Sequence, residues 1–137
     1  MWKQSCAVLT LAGVLATSQA TASELKGIWA MLPLKSGVAN VIEFTENQAT
    51  AHGFDCYGKG ESEQSADPET LKYQHADSNI TLSKDGKTVS VLQIKAISAE
   101  ELTLLPVTEG LANDGISFIY RKVSSVKPLC ELYQEPT

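Results

Sequence analysis

From residue 25 onward, apolar and polar residues alternate with a period of two, and turn-forming residues break the alternation at short intervals. A period of two sends successive side chains to opposite faces of an extended strand. The pattern predicts strands over 25–34, 40–45, 48–57, 69–75, 79–83, 87–98, 102–105 and 116–122. Pro33 and Lys35-Ser36-Gly37 stop the first strand. Glu46-Asn47, Asp85-Gly86 and Asn113-Asp114-Gly115 supply turns, because Asn, Asp and Gly tolerate positive φ. No segment carries the 3.6-residue period of a long helix. The expected fold class is all-β: an eight-stranded antiparallel meander, closed or nearly closed into a barrel. Closure removes exposed strand edges; a two-sheet sandwich is the alternative.

Three stretches depart from simple alternation. The run 24–32 holds Gly27-Ile28-Trp29, which places a glycine two residues before a large aromatic. This suggests a strand whose backbone passes close to a neighbour, with Trp29 plugging one end of a small core. In the sixth strand, Val89 and Val91 give way to Leu92, Ile94 and Ala96, which predicts a bulge or bend near Val91-Leu92. The stretch 58–68 is rich in Gly, Ser and acids, buries nothing, and reads as a mobile loop. In the third strand, Thr50, His52, Phe54 and Cys56 share one face. In the tail 124–137, Val126, Leu129, Leu132 and Tyr133 are spaced like one face of a short helical turn or an irregular strap, with Pro128 and Pro136 limiting any helix. Such a strap would cover the first strand, which is apolar on both faces.

The first 22 residues read as a secretory signal peptide. Lys3 precedes a short apolar run over 7–16, and Ala20-Thr21-Ala22 is a small-x-small cleavage site. A membrane anchor is the competing reading, disfavoured because the run is too short to span a bilayer. Cys6 lies outside a lipobox. The domain division is therefore 1–22 leader and 23–137 single barrel domain. Without Lys3, the 11 basic residues become 10 against 16 acidic, and the net charge moves from −5 to −6. No basic patch exists, so nucleic acid and anionic membrane surfaces are not expected partners, and no membrane span remains after cleavage. Cleavage also leaves two of the three cysteines, Cys56 and Cys130. In the oxidising compartment implied by a leader they are expected to pair, the alternative being a free or metal-bound thiol. The expected location is periplasmic or secreted.

Candidate chemistry is sparse. His52-x-x-Asp55-Cys56 invites a metal or nucleophile reading, but His52 and Asp55 have opposite strand parity, and only His75 remains as a further histidine. No zinc-ligand spacing, nucleophile elbow, His-Glu-x-x-His motif, P-loop or dinucleotide turn is present. No catalytic residue, metal or cofactor is assigned, and an enzyme is not expected. Asn79-Ile80-Thr81 is an N-glycosylation sequon, relevant only in a eukaryotic secretory pathway. Inward aromatics either line an apolar pocket or fill a small barrel. The candidate ligand-binding residues are Met31, Phe44, His52, Phe54, Tyr73, Phe118 and Tyr120.

Gly27-x-Trp29 at the first strand and Tyr120-Arg121 at the last resemble the lipocalin and wider calycin group, and most of all the small lipocalin-like domains of bacterial envelope proteins. The resemblance implies a barrel with structural roles for Gly27, Trp29 and Arg121. There the basic residue packs across the indole, a cation–π contact worth on the order of 1 kcal/mol. A disulfide from the tail to a mid-barrel strand, here Cys130 to Cys56, is common in that group. The connection 33–39 is shorter than the usual lid, and no long helix follows the last strand. The expected function is an exported, non-enzymatic protein that binds a small apolar ligand. The alternative is a protein-binding inhibitor or immunity protein acting on an envelope enzyme or toxin, motivated by the acidic surface and the acidic stretch 61–67.

Overall fold

Local sequence and long-range pairing together set where each strand begins and ends. The structure, a computed structural model, describes residues 22–107 and 116–134. The leader expected over 1–22 (apart from Ala22), the Asn113-Asp114-Gly115 turn and Pro136 lie outside the described residues. A single helical turn, α1 (Ala22–Leu25), leads into β1 (Gly27–Met31). The chain continues through β2 (Val41–Phe44), β3 (Gln48–Cys56), β4 (Ser62–Ala76), β5 (Asn79–Lys84), β6 (Lys87–Ile97), β7 (Glu101–Val107) and β8 (Phe118–Val123). Each strand pairs antiparallel with the next, and β1 pairs with β8, closing the barrel in sequence order. The expected eight-stranded closed meander is therefore present.

Alternation along β1 assigns the two faces. Trp29 and Met31 point into the barrel core, and their cross-strand partners Ile42, Lys122 and Tyr120 share that inner face. Ala30 points outward yet is fully buried, as is its partner Val41. β1 and β2 are thus covered on both faces where Ala30 meets Val41, while outward Ile28 and Glu43 are half-buried. The inner wall packs one apolar cluster that includes Leu25, Trp29, Phe44, Tyr73, Ile80 and Leu104. Phe44 and Tyr73 meet edge to face with ring centroids 5.1 Å apart, an arrangement that adds about 1 kcal/mol beyond burial. On the outer face a smaller cluster joins Ala39, Cys56 and Cys130, with Tyr133 packed against it. It is closed by the Cys56–Cys130 disulfide, whose partners are 74 residues apart. A loop of that length gives roughly 4 kcal/mol on the chain-entropy model.

Four expectations are corrected. The stretch 58–68 is not a mobile loop: Gly58–Gly60 forms a tight 3-10 turn, and β4 starts at Ser62, pairing with β3 from Cys56↔Ser62 onward. Its composition misled because every residue over 61–70 is exposed on both faces, so burial left no alternating mark. Register shifts fall between Ala51 and Gly53 and between Gly53 and Phe54, and Pro68 sits where the first of these is absorbed. A bulge is where a strand tolerates a residue without an N–H donor. In β6 the irregularities lie at Val89 and at Lys95, not at Val91-Leu92. Alternation alone cannot place a bulge to the residue. Finally, the first strand stops at Met31. The connection that follows turns through Gly37 (φ 95°), and Leu34 and Val38 fold onto the core cluster. β8 in turn begins at Phe118, two residues later than expected.

Candidate functional site

The barrel has two distinguishable ends. At the lower end α1 and the turns at 45–47 and 98–100 gather around Trp29. Leu25 is fully buried, and its carbonyl accepts the indole Nε1–H at 2.8 Å. Lys122, directly opposite Trp29 on β8, lays its Nζ 4.6 Å from the indole centroid. Gly27 has φ 128°, and a Cβ there would run into the Lys122 side chain. The glycine is therefore required by its backbone conformation, and its missing Cβ leaves the Lys122 side chain free to cross the indole.

The cation over Trp29 is Lys122, not Arg121. Arg121 pairs with Ala30 and Glu101 and shares their outward face. The physical reason is parity: the last strand must send Tyr120 and Lys122 inward together, so Arg121 between them points out. Arg121 and Lys122 do help line an open polar cleft of about 540 Å³ with Ser98, Glu100 and Glu101. There the Ser98 hydroxyl oxygen accepts the Glu100 and Glu101 backbone N–H groups at 3.3 and 3.1 Å, which is turn capping.

Five of the seven candidate ligand-binding residues meet inside the barrel. Met31, Phe44, Tyr73 and Tyr120 are buried in the core cluster, and Phe118 packs against it half-buried. Tyr73 donates its hydroxyl to the Thr45 carbonyl at 2.7 Å, and burial, then the nearby Glu46 carboxylate, push its pKa up. Burial alone pushes Tyr120 up to about 12. Both phenols stay neutral at physiological pH.

His52 and Phe54 are not in the interior. His52 pairs with the outward Val41, and β3 carries His52, Phe54 and Cys56 on its outer face. The sequence grouped these residues correctly but could not say which face was inner. His52 Nε2 is buried without a hydrogen-bond partner. Asp55 has the opposite parity, so the His52–Asp55 pair does not converge. Among the described residues, no group of three or more His, Cys, Asp and Glu side chains is placed to hold a metal.

The inner wall changes character toward the upper end. Ile80 and Leu104 are fully buried, and Ile94 is 8% exposed. One inward position further up, Leu82, Leu92 and Phe118 are only half-buried, and Ala51 is exposed. Leu34 and Val38, from the connection after β1, reach the same cluster from above. These upper inward side chains, less buried than Ile80 and Leu104 beside them, are termed the cup. Its rim carries Glu69, opposite Ala51, ion-paired at 3.3 Å with Lys84. The aromatic tally pointed to the floor. The cup residues Leu82, Leu92 and Ala51 were missed, although Leu82 and Leu92 stand at inward-parity positions in their strands.

The chain matches no family model, no curated protein and no solved structure.

Proposed function

We propose that this is an exported, non-enzymatic binding protein that takes a small apolar ligand into the upper cup of a lipocalin-like barrel. The observation that carries this reading is the set of apolar inward side chains Leu82, Leu92 and Phe118, which are partly exposed next to the fully buried Ile80 and Leu104. Ligand sites are concave and mostly apolar, with a few polar groups at fixed positions. The cup with its Glu69–Lys84 rim fits that description. The lipocalin-like assignment is supported by the closed meander and by the glycine, tryptophan and β8 cation at the lower end, with Lys122 in the role expected of Arg121. Export is supported by the leader-like first 22 residues and by the disulfide. Among the described residues, no helix is long and apolar enough to cross a membrane.

The test is titration with N-phenyl-1-naphthylamine, a neutral probe that fluoresces in apolar surroundings. Saturable enhancement at one site per chain is expected, lost in Phe118→Glu and retained in Val89→Glu, which alters an exposed outer position. Equal enhancement in wild type and in Phe118→Glu would sink the cup reading.

A second reading, a protein-binding inhibitor or immunity protein, is favoured by the β3–β4 hairpin. Its β4 arm is exposed on both faces over 62–70, carries Glu63, Asp67 and Glu69, and pairs with β5 only from Lys72 onward. The disulfide fixes the end of β3, and Tyr57 donates to Glu63 at 3.0 Å. An ordered polar element with no packing role is what a preorganised protein contact needs. Charge reversal at Glu63 and Asp67 should then abolish capture of a partner without altering probe binding in the cup.

A further inference from the structure

The arm of β4 over 62–70 has an open strand edge, and the inference drawn from it rests on the protein-binding reading above. On one side the arm pairs with β3, from Cys56↔Ser62 to Thr50↔Thr70. On the other side β5 reaches no further than Lys72↔Ser83 before its chain turns away through Asp85-Gly86. Among the described residues no other strand pairs with 62–70. The far edge of β3 is by contrast filled. There the Ala39 N–H donates to the Phe54 carbonyl at 3.0 Å, and the Cys56 N–H to the Gly37 carbonyl at 2.7 Å.

Two ladder bonds fix which main-chain groups face the opening. The Tyr57 N–H donates to the Glu61 carbonyl at 2.8 Å, and the Tyr73 N–H to the Asn47 carbonyl at 3.1 Å. Along an antiparallel ladder, residues bonded to the partner alternate with residues that face away from it. Counting from each anchor turns the main chain of Ser62 and Gln64, and of Pro68 and Thr70, toward the open side. Pro68 has no N–H and gives up nothing there. The arm is ordered without being packed, since every residue over 61–70 is exposed. It is braced by the Thr50 and Thr70 hydroxyls at 2.9 Å, by Tyr57 donating to Glu63, and by the disulfide at the end of β3. An incoming strand meets a preformed edge, so the ordering cost falls on the partner.

Charge selects that partner. Residues 61–70 hold Glu61, Glu63, Asp67 and Glu69 and no Lys or Arg, and Asp55 stands opposite Glu63. The flanking cations are Lys59, Lys72 and Lys84, the last ion-paired with Glu69 at 3.3 Å. A second copy of this chain would set carboxylates against carboxylates, which disfavours pairing. A basic strand meets opposite charge along the same edge. We propose that the partner contributes an extended, lysine- or arginine-rich segment of about six residues, added as a strand beside β4 in the line that β5 leaves beyond Lys72. Main-chain hydrogen bonds hold it, and the carboxylates select it.

The experiment is NMR titration of the isotope-labelled, disulfide-intact protein with a capped hexapeptide of alternating lysine and valine, its glutamate–valine counterpart serving as control. The lysine peptide should bind saturably and slow amide exchange at Ser62, Gln64 and Thr70, and the glutamate peptide should not bind. An added strand bonds through alternate residues along one edge. N-methylation of either the lysine amides or the valine amides, but not of both sets alike, should therefore abolish binding. Glu63→Lys combined with Asp67→Lys should weaken the lysine peptide about tenfold. Equal binding of the two N-methylated peptides, or protection that falls elsewhere, overturns strand addition. A dimer of this chain joined through 62–70 overturns the choice of partner. If no lysine peptide binds while charge reversal still abolishes partner capture, strand addition fails and the protein-binding reading stands. If charge reversal leaves partner capture unchanged as well, that reading fails too.

Discussion

The lower and upper halves of this barrel are built by the same eight strands, yet they answer different demands. The lower half closes on Trp29. Trp29 is fully buried there, held by α1, by the indole hydrogen bond to the Leu25 carbonyl, and by Lys122 laid across the ring. The upper half keeps the inward alternation but leaves Leu82, Leu92 and Phe118 partly exposed. The difference lies in what is available to plug each end. A large aromatic and a helical turn fill the bottom, whereas at the top, among the described residues, Leu34 and Val38 fold inward from the short connection after β1. The largest buried side chain lies below, and the proposed ligand site lies above.

The sharpest way to break this contrast is to empty the floor. Trp29→Ala should cost about 3–5 kcal/mol, the range for a large buried aromatic, read from the urea midpoint. Leu92→Ala in the cup wall should cost less than half as much. Equal losses would mean that the two halves are packed alike. Replacing both cysteines by Ser should cost about 2–4 kcal/mol. Hydrogen exchange should rise first in β3 and β4 near Cys56, with the amides around Trp29 changing least.

A third effect isolates the buried phenol. Tyr120 has a folded pKa raised to about 12 against an ordinary value near 10. Its neutral form is favoured in the folded state, so its contribution is fully present below pH ~10 and is lost as pH rises through ~12. The loss reaches about 3 kcal/mol. Tyr120→Phe should flatten that part of the stability–pH curve, and a curve of unchanged shape would refute the assignment. The smallest effect separates two neighbouring cations. Lys122→Ala should cost on the order of 1 kcal/mol through the lost cation–π contact. Arg121→Ala, on the outer face, should stay within about 0.5 kcal/mol.

How much of this was legible beforehand depended on whether burial left a periodic trace. Strand number, meander order and closure followed from alternation and turn chemistry, because most strands had one buried face. The Cys56–Cys130 bond followed from counting. β4 was half hidden, since its exposed arm has the composition of a loop and is held in place by β3, whose end is tied to residue 130. The choice between Arg121 and Lys122 turned on one step of parity, and likewise the inner or outer placement of His52 and Phe54. Parity is absolute only once one residue of the sheet is known to face inward. Trp29 supplies that reference, and counting from it through the ladder to β8 selects Lys122. The half-open cup left the faintest trace, because a half-buried Leu and a fully buried Leu are the same letter.

The seam between β1 and β8 has a kinetic consequence. Its partners, Trp29 and Lys122 among them, come from opposite ends of the described chain. Every other ladder joins neighbouring strands and can zip locally. The seam alone must wait for a long loop to close, the step that makes β-rich topologies fold in milliseconds to seconds instead of microseconds. Until then β1 has an unpaired edge and an indole without its lysine. Indole fluorescence in a stopped-flow refolding experiment should therefore report the last event of folding, and substitutions at the seam should slow it more than equally destabilising ones in the β5–β6 hairpin.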